Sequence, residues 1–290
     1  MKYSTKHILP KKLFLAAVII SLLLLGRWLI TNSRIPIYEL NLRWVFLISA
    51  LFLGALGGLG TYFEYHGFGS QEGIYRRGER TPQVSITFDD GPDAKHTPKI
   101  LDILKEKNVK AAFFVTGKNV EKHPEIARRI VAEGHEIGNH TYSHKELVRL
   151  TRKRIIKELD RTGEAIRNAC GVSTDLFRPP RGMYRQATRS LLMKLGYKII
   201  LWSVSSVDWR RTSPNWILNR IRRYARFGSI ILFHDGGALV RRNGGKRINT
   251  VKALPMVIDY LRSQDLEIVP VSKLVRLSSK DEEDFLLHPS

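Results

Sequence analysis

Apolar positions fall along this chain in two unlike regimes. In the first eighty residues they form long runs: Leu13 to Ile30, broken by Arg27, and Trp44 to about Phe63, which carries no charge. About 20 consecutive apolar residues cross a bilayer as a helix, so the second run is long enough to span. The first is uninterrupted only from Leu13 to Gly26, the length of a signal-peptide core or a marginal span, and no small-residue cleavage site follows it. From Gln83 onward the pattern changes to short apolar runs between basic amphipathic segments. Val84–Phe88, Ala111–Val115, Glu136–Gly138, Leu176–Arg178, Lys198–Trp202, Ser229–Phe233 and Glu267–Pro270 read as strands, and Thr97–Lys107, Arg149–Ala169, Arg185–Leu195 and Thr250–Arg262 as helices. In the longest helix Ile155, Ile156, Leu159 and Ile166 recur at helical spacing, while Arg152, Lys153, Lys157, Arg161 and Arg167 fill a solvated face.

Strands alternating with helices predict an α/β fold on a parallel sheet, open or closed into a barrel, with any active site at the carboxyl ends of the strands. The organisation expected is an N-terminal stub, apolar segment and linker over residues 1–80, a main domain over 81–278 and a short acidic tail over 279–290. Lys2, Lys6, Lys11 and Lys12 place the extreme N-terminus in the cytoplasm; two spans would return the main domain there, whereas a single span by the second run, the preferred reading, puts it outside, at the cell membrane.

Charge changes the picture only in part. The net charge is +21; residues 1–43 hold seven Lys/Arg and one Glu, so +15 belongs to the rest. A basic surface draws polyanions, but no recognition motif and no evident aromatic cluster points to nucleic acid, and none is expected as a partner. The one cysteine, Cys170, excludes an intrachain disulfide and a cysteine-based zinc site, and reads as a small buried residue closing a helix at Gly171.

Five clusters at or just after strand ends carry the candidate chemistry. Thr87-Phe88-Asp89-Asp90-Gly91-Pro92 ends a strand with adjacent carboxylates, which repel unless a cation or proton intervenes, and Gly91-Pro92 turns the chain so as to expose them. His140 and His144, at i and i+4, share one face of a helical turn and can grip a metal ion; a carboxylate added to them leaves coordination positions for water and substrate. Arg178 precedes the rigid Pro179-Pro180 and Arg181-Gly182 and can pair with a carboxylate. Trp202 to Trp209 offers Trp209 as a stacking platform for sugar, and His234-Asp235 closes an apolar strand with a proton carrier. Each fragment also has a plain structural reading, as a turn, a solvated Arg or a core residue.

In their order and position the five clusters resemble the polysaccharide deacetylases of the NodB-homology type, carbohydrate esterase family 4, over Val84 to Leu277. That resemblance implies an irregular (β/α)7-type barrel behind the N-terminal membrane-anchoring helical segment. It implies a hydrolase acting on N-acetylated cell-surface glycan, peptidoglycan or chitin-like, with release of acetate. Carried over by position, Asp90, His140 and His144 would bind one divalent metal ion, zinc in most of the family. Asp89 matches the general base, Arg178 the residue that orients it, and His234 the general acid. Pro180, Arg181, Trp209 and Leu232 would bind substrate, with the Arg181 N–H meeting the oxyanion. Two positions depart from the family pattern. Ser205 stands where an aspartate usually braces the catalytic histidine, which implies a lower pKa for His234 unless Asp208 or Asp235 substitutes. Arg181 stands where an aromatic is common; Arg-Pro-Pro-Arg-Gly is similar to the branch acting on muramic acid, a branch that tends to lack the counterpart of Asp235. The Ser205 change supports a second reading, a membrane-anchored glycan-binding protein with decayed catalysis.

Overall fold

The computed structural model describes residues 49, 52–57, 72–210, 212–237 and 247–276. The chain divides into two compact units, Met1–Phe63 and Glu64–Ser290. Of the first, residues 49 and 52–57 are described, as helix. Among the described residues no helix is long and apolar enough to cross a membrane. The first apolar run, most of the second and the acidic tail lie outside them.

The second unit is a curled parallel sheet of nine strands. These are β1 (Ile74–Tyr75), β2 (Gln83–Asp89), β3 (Ala112–Val115), β4 (Glu136–Asn139), β5 (Leu176–Phe177), β6 (Lys198–Ile200), β7 (Val204–Ser205), β8 (Ile230–His234) and β9 (Glu267–Ile268). Their order is β1-β6-β5-β4-β3-β2-β8-β7, with β9 added to β2. The sheet is thus an incompletely closed barrel whose two ends, β1 and β7, each pair with a single neighbour. All seven expected strands are present; β1 and β7, two residues each, bring the count to nine.

The helices are α1 (Thr97–Glu106), α2 (Gly117–Lys122), α3 (Pro124–Ala132), α4 (Arg152–Cys170), α5 (Gln186–Lys194), α6 (Pro214–Tyr224), α7 (Ile248–Ser263) and α8 (Val271–Leu274). Ile155, Leu159 and Ile166 of α4 face the core and its basic residues are exposed, as their spacing predicts. The helix starts at Arg152 rather than Arg149, because Leu147–Arg149 closes a separate 3-10 turn. Cys170 does end α4, half-buried rather than buried.

The alternation along β2 organises the interior. Val84, Ile86 and Phe88 point outward into the core beneath the helices, where Phe88 stacks on Phe113 at 5.0 Å and meets Phe233. Ser85, Thr87 and Asp89 point the other way, because successive strand side chains alternate faces. The Ser85 and Thr87 hydroxyls donate to the carbonyls of Val269 and Ile231, so this inner face is polar without leaving those groups unpaired. Strand β8 lies parallel to β2 in a register that sets Thr87 beside Leu232 and Asp89 beside His234.

Candidate active site at the carboxyl ends of the strands

Asp89 and Asp90 end β2 and are buried, not turned out to solvent as the Gly91-Pro92 turn suggests. The turn packs against Asp235, the residue that follows β8. A side chain on Gly91 would put its Cβ 2.0 Å from Asp235 Oδ2, so only glycine fits this approach. His140 and His144 converge as the sequence implies, but not on a helical turn. They flank a loop in which Thr141 (φ 65°) and His144 (φ 55°) have left-handed backbones, and their rings lie 5.1 Å apart. Of the eight non-glycine residues with positive φ among those described, Asp90, Thr141, His144, Arg181 and Val207 lie in the loops of this site. Each such residue costs on the order of 1 kcal/mol, strain that folded proteins concentrate at functional sites.

Asp90, His140 and His144 offer three ligand atoms within 4.8 Å of one another. His140 Nδ1 lies 2.7 Å from the Arg178 carbonyl, which can only accept, so Nδ1 carries the proton and donates it there. In the neutral ring the lone pair of Nε2 then points at Asp90. Asp90 Oδ1, 3.5 Å from His140 Nε2 and 3.1 Å from His144 Nε2, is buried without a hydrogen-bond donor. An unpaired buried carboxylate oxygen is costly, and a divalent cation between these three atoms would satisfy all of them. Burial opposes charge on His140, but Asp89 and Asp90 outweigh it and raise its pKa. The field that favours a proton at this point favours a cation equally. The residues fit a metal ion.

Arg178 is fully buried and its donors are well used. It holds Asp89 Oδ1 at 2.7 Å and Thr87 Oγ1 at 2.8 Å, and donates to the carbonyls of Ile200 and Leu201 at 3.0 Å. Its guanidinium also sits 4.0 Å from the Phe114 ring centroid. Asp89 is thereby fixed through one oxygen, while Oδ2 remains 3.8 Å from His140 Nε2.

On the other side of Asp89, His234 Nδ1 lies 2.7 Å from Asp208 Oδ1, and its backbone N–H donates to Asp208 Oδ2 at 2.9 Å. Thr250 Oγ1 donates to the same carboxylate. Burial works against a charged imidazole here, but Asp208, joined by Asp90 and Asp89, overcomes it and the pKa of His234 is raised. This corrects the expectation attached to Ser205. The brace is Asp208, and Ser205 Oγ merely accepts from the Val207 N–H within the turn. Asp235 does not touch His234; it accepts from Thr97 Oγ1, and burial drives its pKa up to about 7.

The remaining expected residues lie on β8 and on the loops after β5 and β7. Leu232 is buried on the same face of β8 as His234. Pro180 and Arg181 form a 3-10 turn beyond β5, and the exposed Arg181 side chain pairs with Glu146 at 3.0 Å. Trp209 is 37% exposed, with Arg210 stacked 4.9 Å from its centroid, which leaves ring surface open. Arg247 escaped the sequence reading, and Thr87 was given no role beyond its place in the motif. Buried Arg247 reaches within 3.9 Å of Asp90 Oδ2 and donates to the Gly236 carbonyl.

The polysaccharide deacetylase model matches residues 76–200. A peptidoglycan-N-acetylglucosamine deacetylase of Bacillus cereus is 37% identical over 198 residues, 68% of this chain and 70% of that protein. This chain belongs to the polysaccharide deacetylase family. A chitooligosaccharide deacetylase of a Bradyrhizobium species is likewise 37% identical, over 67% of this chain and 91% of its own length. The crystal structure of the Bc1960 peptidoglycan N-acetylglucosamine deacetylase, bound to a hydroxamate-bearing naphthyl benzamide, superposes with a TM-score of 0.66 at 35% identity, covering 71% of this chain and 94% of that one. The protein is therefore a carbohydrate deacetylase, and the curled parallel barrel is the family's fold. The charged network above sits at the carboxyl ends of β2, β4, β5 and β8.

Proposed function

We propose that this deacetylase removes N-acetyl groups from the amino sugars of peptidoglycan, releasing acetate, with one zinc ion held by Asp90, His140 and His144. Bound there, the cation would supply the Lewis-acid polarisation that an unreactive amide requires. Asp89, held by Arg178 and free at Oδ2, takes a proton from the attacking water. Protonated His234, braced by Asp208, delivers its proton to the leaving nitrogen as the C–N bond breaks. Acetate and a free sugar amine result. The Arg181 N–H faces the oxygen on which charge develops. Leu232 and Trp209 enclose the acetyl methyl, and Pro180 shapes the wall beside them.

One observation carries the reading: two braced side chains that can carry protons, Asp89 on Arg178 and His234 on Asp208, sit side by side in the β2–β8 register next to the Asp-His-His set. The peptidoglycan assignment is supported by the Bacillus cereus relative, with chitin-type oligomers the competing substrate. We further propose that the N-terminal apolar run anchors the chain in the cell membrane, with the deacetylase, residues 81–278, on the outer side facing its polymer. The glycan-binding alternative rested on Ser205, and Asp208 removes that support. The test is acetate release by the full chain in detergent, loaded with zinc, from purified peptidoglycan and from chitin oligomers. Faster release from peptidoglycan is expected. Zinc bound without acetate from any glycan would return the binding reading to the front.

A further inference from the structure

At the amino ends of the strands, opposite the catalytic site, lies a second concavity. Strand β2 separates the two by its seven residues, about 20 Å at the usual rise. This cavity of about 510 Å³ is lined by Arg77, Arg80, Arg226, Phe227, Tyr260 and Gln264, among others. Arg222 stacks 5.3 Å from the centroid of Tyr260, which adds a fourth guanidinium at its edge. Phe227 is 51% exposed, a large apolar surface left in water.

The walls are held by backbone rather than by chance side-chain positions. Arg77 and Ser229 form an antiparallel bridge, and Gly78 N–H donates to the Gly228 carbonyl at 2.8 Å. Gly228 has a φ of +73°, and a Cβ there would lie 2.2 Å from the Glu79 carbonyl oxygen, so the two segments meet as closely as bare backbone allows. Arg77 donates to the Phe227 carbonyl, and Arg226 to those of Ala225 and Arg223. Among the described residues none of these arginines is paired with a carboxylate. Of the neighbouring acids, Glu79 pairs with Arg276, Asp259 with Lys107 and Glu267 with Lys273, and Asp265, between the lining residues Gln264 and Leu266, is exposed.

Several converging guanidiniums without a counter-ion exceed what one carboxylate neutralises. The planar fork of arginine matches phosphate oxygens two at a time. We propose that this cavity binds a phosphate-ester anion, its phosphate clasped by Arg77, Arg80 and Arg226 and its alcohol portion against Phe227 and Tyr260. Anionic lipid headgroups and soluble polyol phosphates share this chemistry. The site would hold the deacetylase against a phosphate-bearing surface while its opposite end works on glycan.

The test uses the full chain in phosphatidylcholine nanodiscs, titrated calorimetrically with glycerol 3-phosphate. Saturable binding is expected, weakened about tenfold or more by Arg80→Gln and again by Arg226→Gln, as loss of charge-assisted bonds implies. Acetate release from a soluble chitin oligomer and the melting temperature should not change, since neither residue lies near the catalytic site. Repeating the titration in discs that contain phosphatidylglycerol separates the sources. Loss of the glycerol phosphate signal means the lipid headgroup fills the cavity, and an unchanged signal means a soluble ester is the ligand. Absence of saturable binding in phosphatidylcholine discs, equal affinity in the double variant, or equal displacement by sulfate and short DNA would overturn the proposal.

Discussion

Two histidine–aspartate arrangements share this site and differ in one bond. His140 gives its Nδ1 proton to a backbone carbonyl, the Arg178 oxygen, and turns Nε2 toward a carboxylate that has no donor. His234 directs Nδ1 to a carboxylate, that of Asp208, itself held by Thr250 and by the His234 N–H. A carbonyl fixes the tautomer and leaves Nε2 facing Asp90 and His144, where the field of Asp89 and Asp90 suits a cation, as a ligand requires. A buried aspartate stabilises the imidazolium, which makes a proton carrier. On the proposed mechanism the same two residue types acquire opposite duties from what stands behind the ring.

The sharpest way to break this division is His140→Ala, which should abolish both zinc retention and acetate release, as equilibrium dialysis and an acetate assay would register together. Asp89→Asn should leave zinc bound and cut kcat by roughly 10³- to 10⁴-fold, the upper range for loss of a positioned base; a loss under tenfold would move the base elsewhere. His234→Ala should also retain zinc, with a fall of roughly 10²- to 10³-fold in single-turnover rate.

Asp208→Asn acts one step further back. The His234 pKa is raised in the folded protein, Asp208 being the main charge that lifts it. The acid must be protonated to work, so its pKa appears as the alkaline limb of the kcat/KM profile. Removing the Asp208 charge lowers that pKa, and the limb moves to lower pH with roughly a tenfold rate loss. A limb that stays in place would detach Asp208 from His234. The smallest effect belongs to Ser205→Ala. Its hydroxyl only serves the turn, so the rate should stay within about twofold and the pH profile should not move.

That last contrast marks how far the sequence could be read. Apolar runs such as Val84–Phe88 and Ser229–Phe233 announced β2 and β8 because both are buried and β-branched or aromatic residues dominate them. The two-residue β1 and β7 are too short for any period to register. Helix α6 went unread despite Ser213-Pro214, whose Ser213 caps the Trp216 N–H at 3.2 Å and whose proline opens the first turn. The motif residues themselves were legible through their order. Which aspartate braces His234 was not, because Ser205 and Asp208 differ only by a bend, with Val207 at φ 56°, that composition does not encode. Arg247 was invisible for a related reason: it reaches Asp90 across more than a hundred and fifty residues of chain.

The most direct measurement sets His140→Ala beside His234→Ala and determines zinc per chain and acetate released for each. The account predicts that both lose deacetylation while only the first loses the metal. Zinc lost from both, or kept by both, would contradict the division of labour between the two histidines.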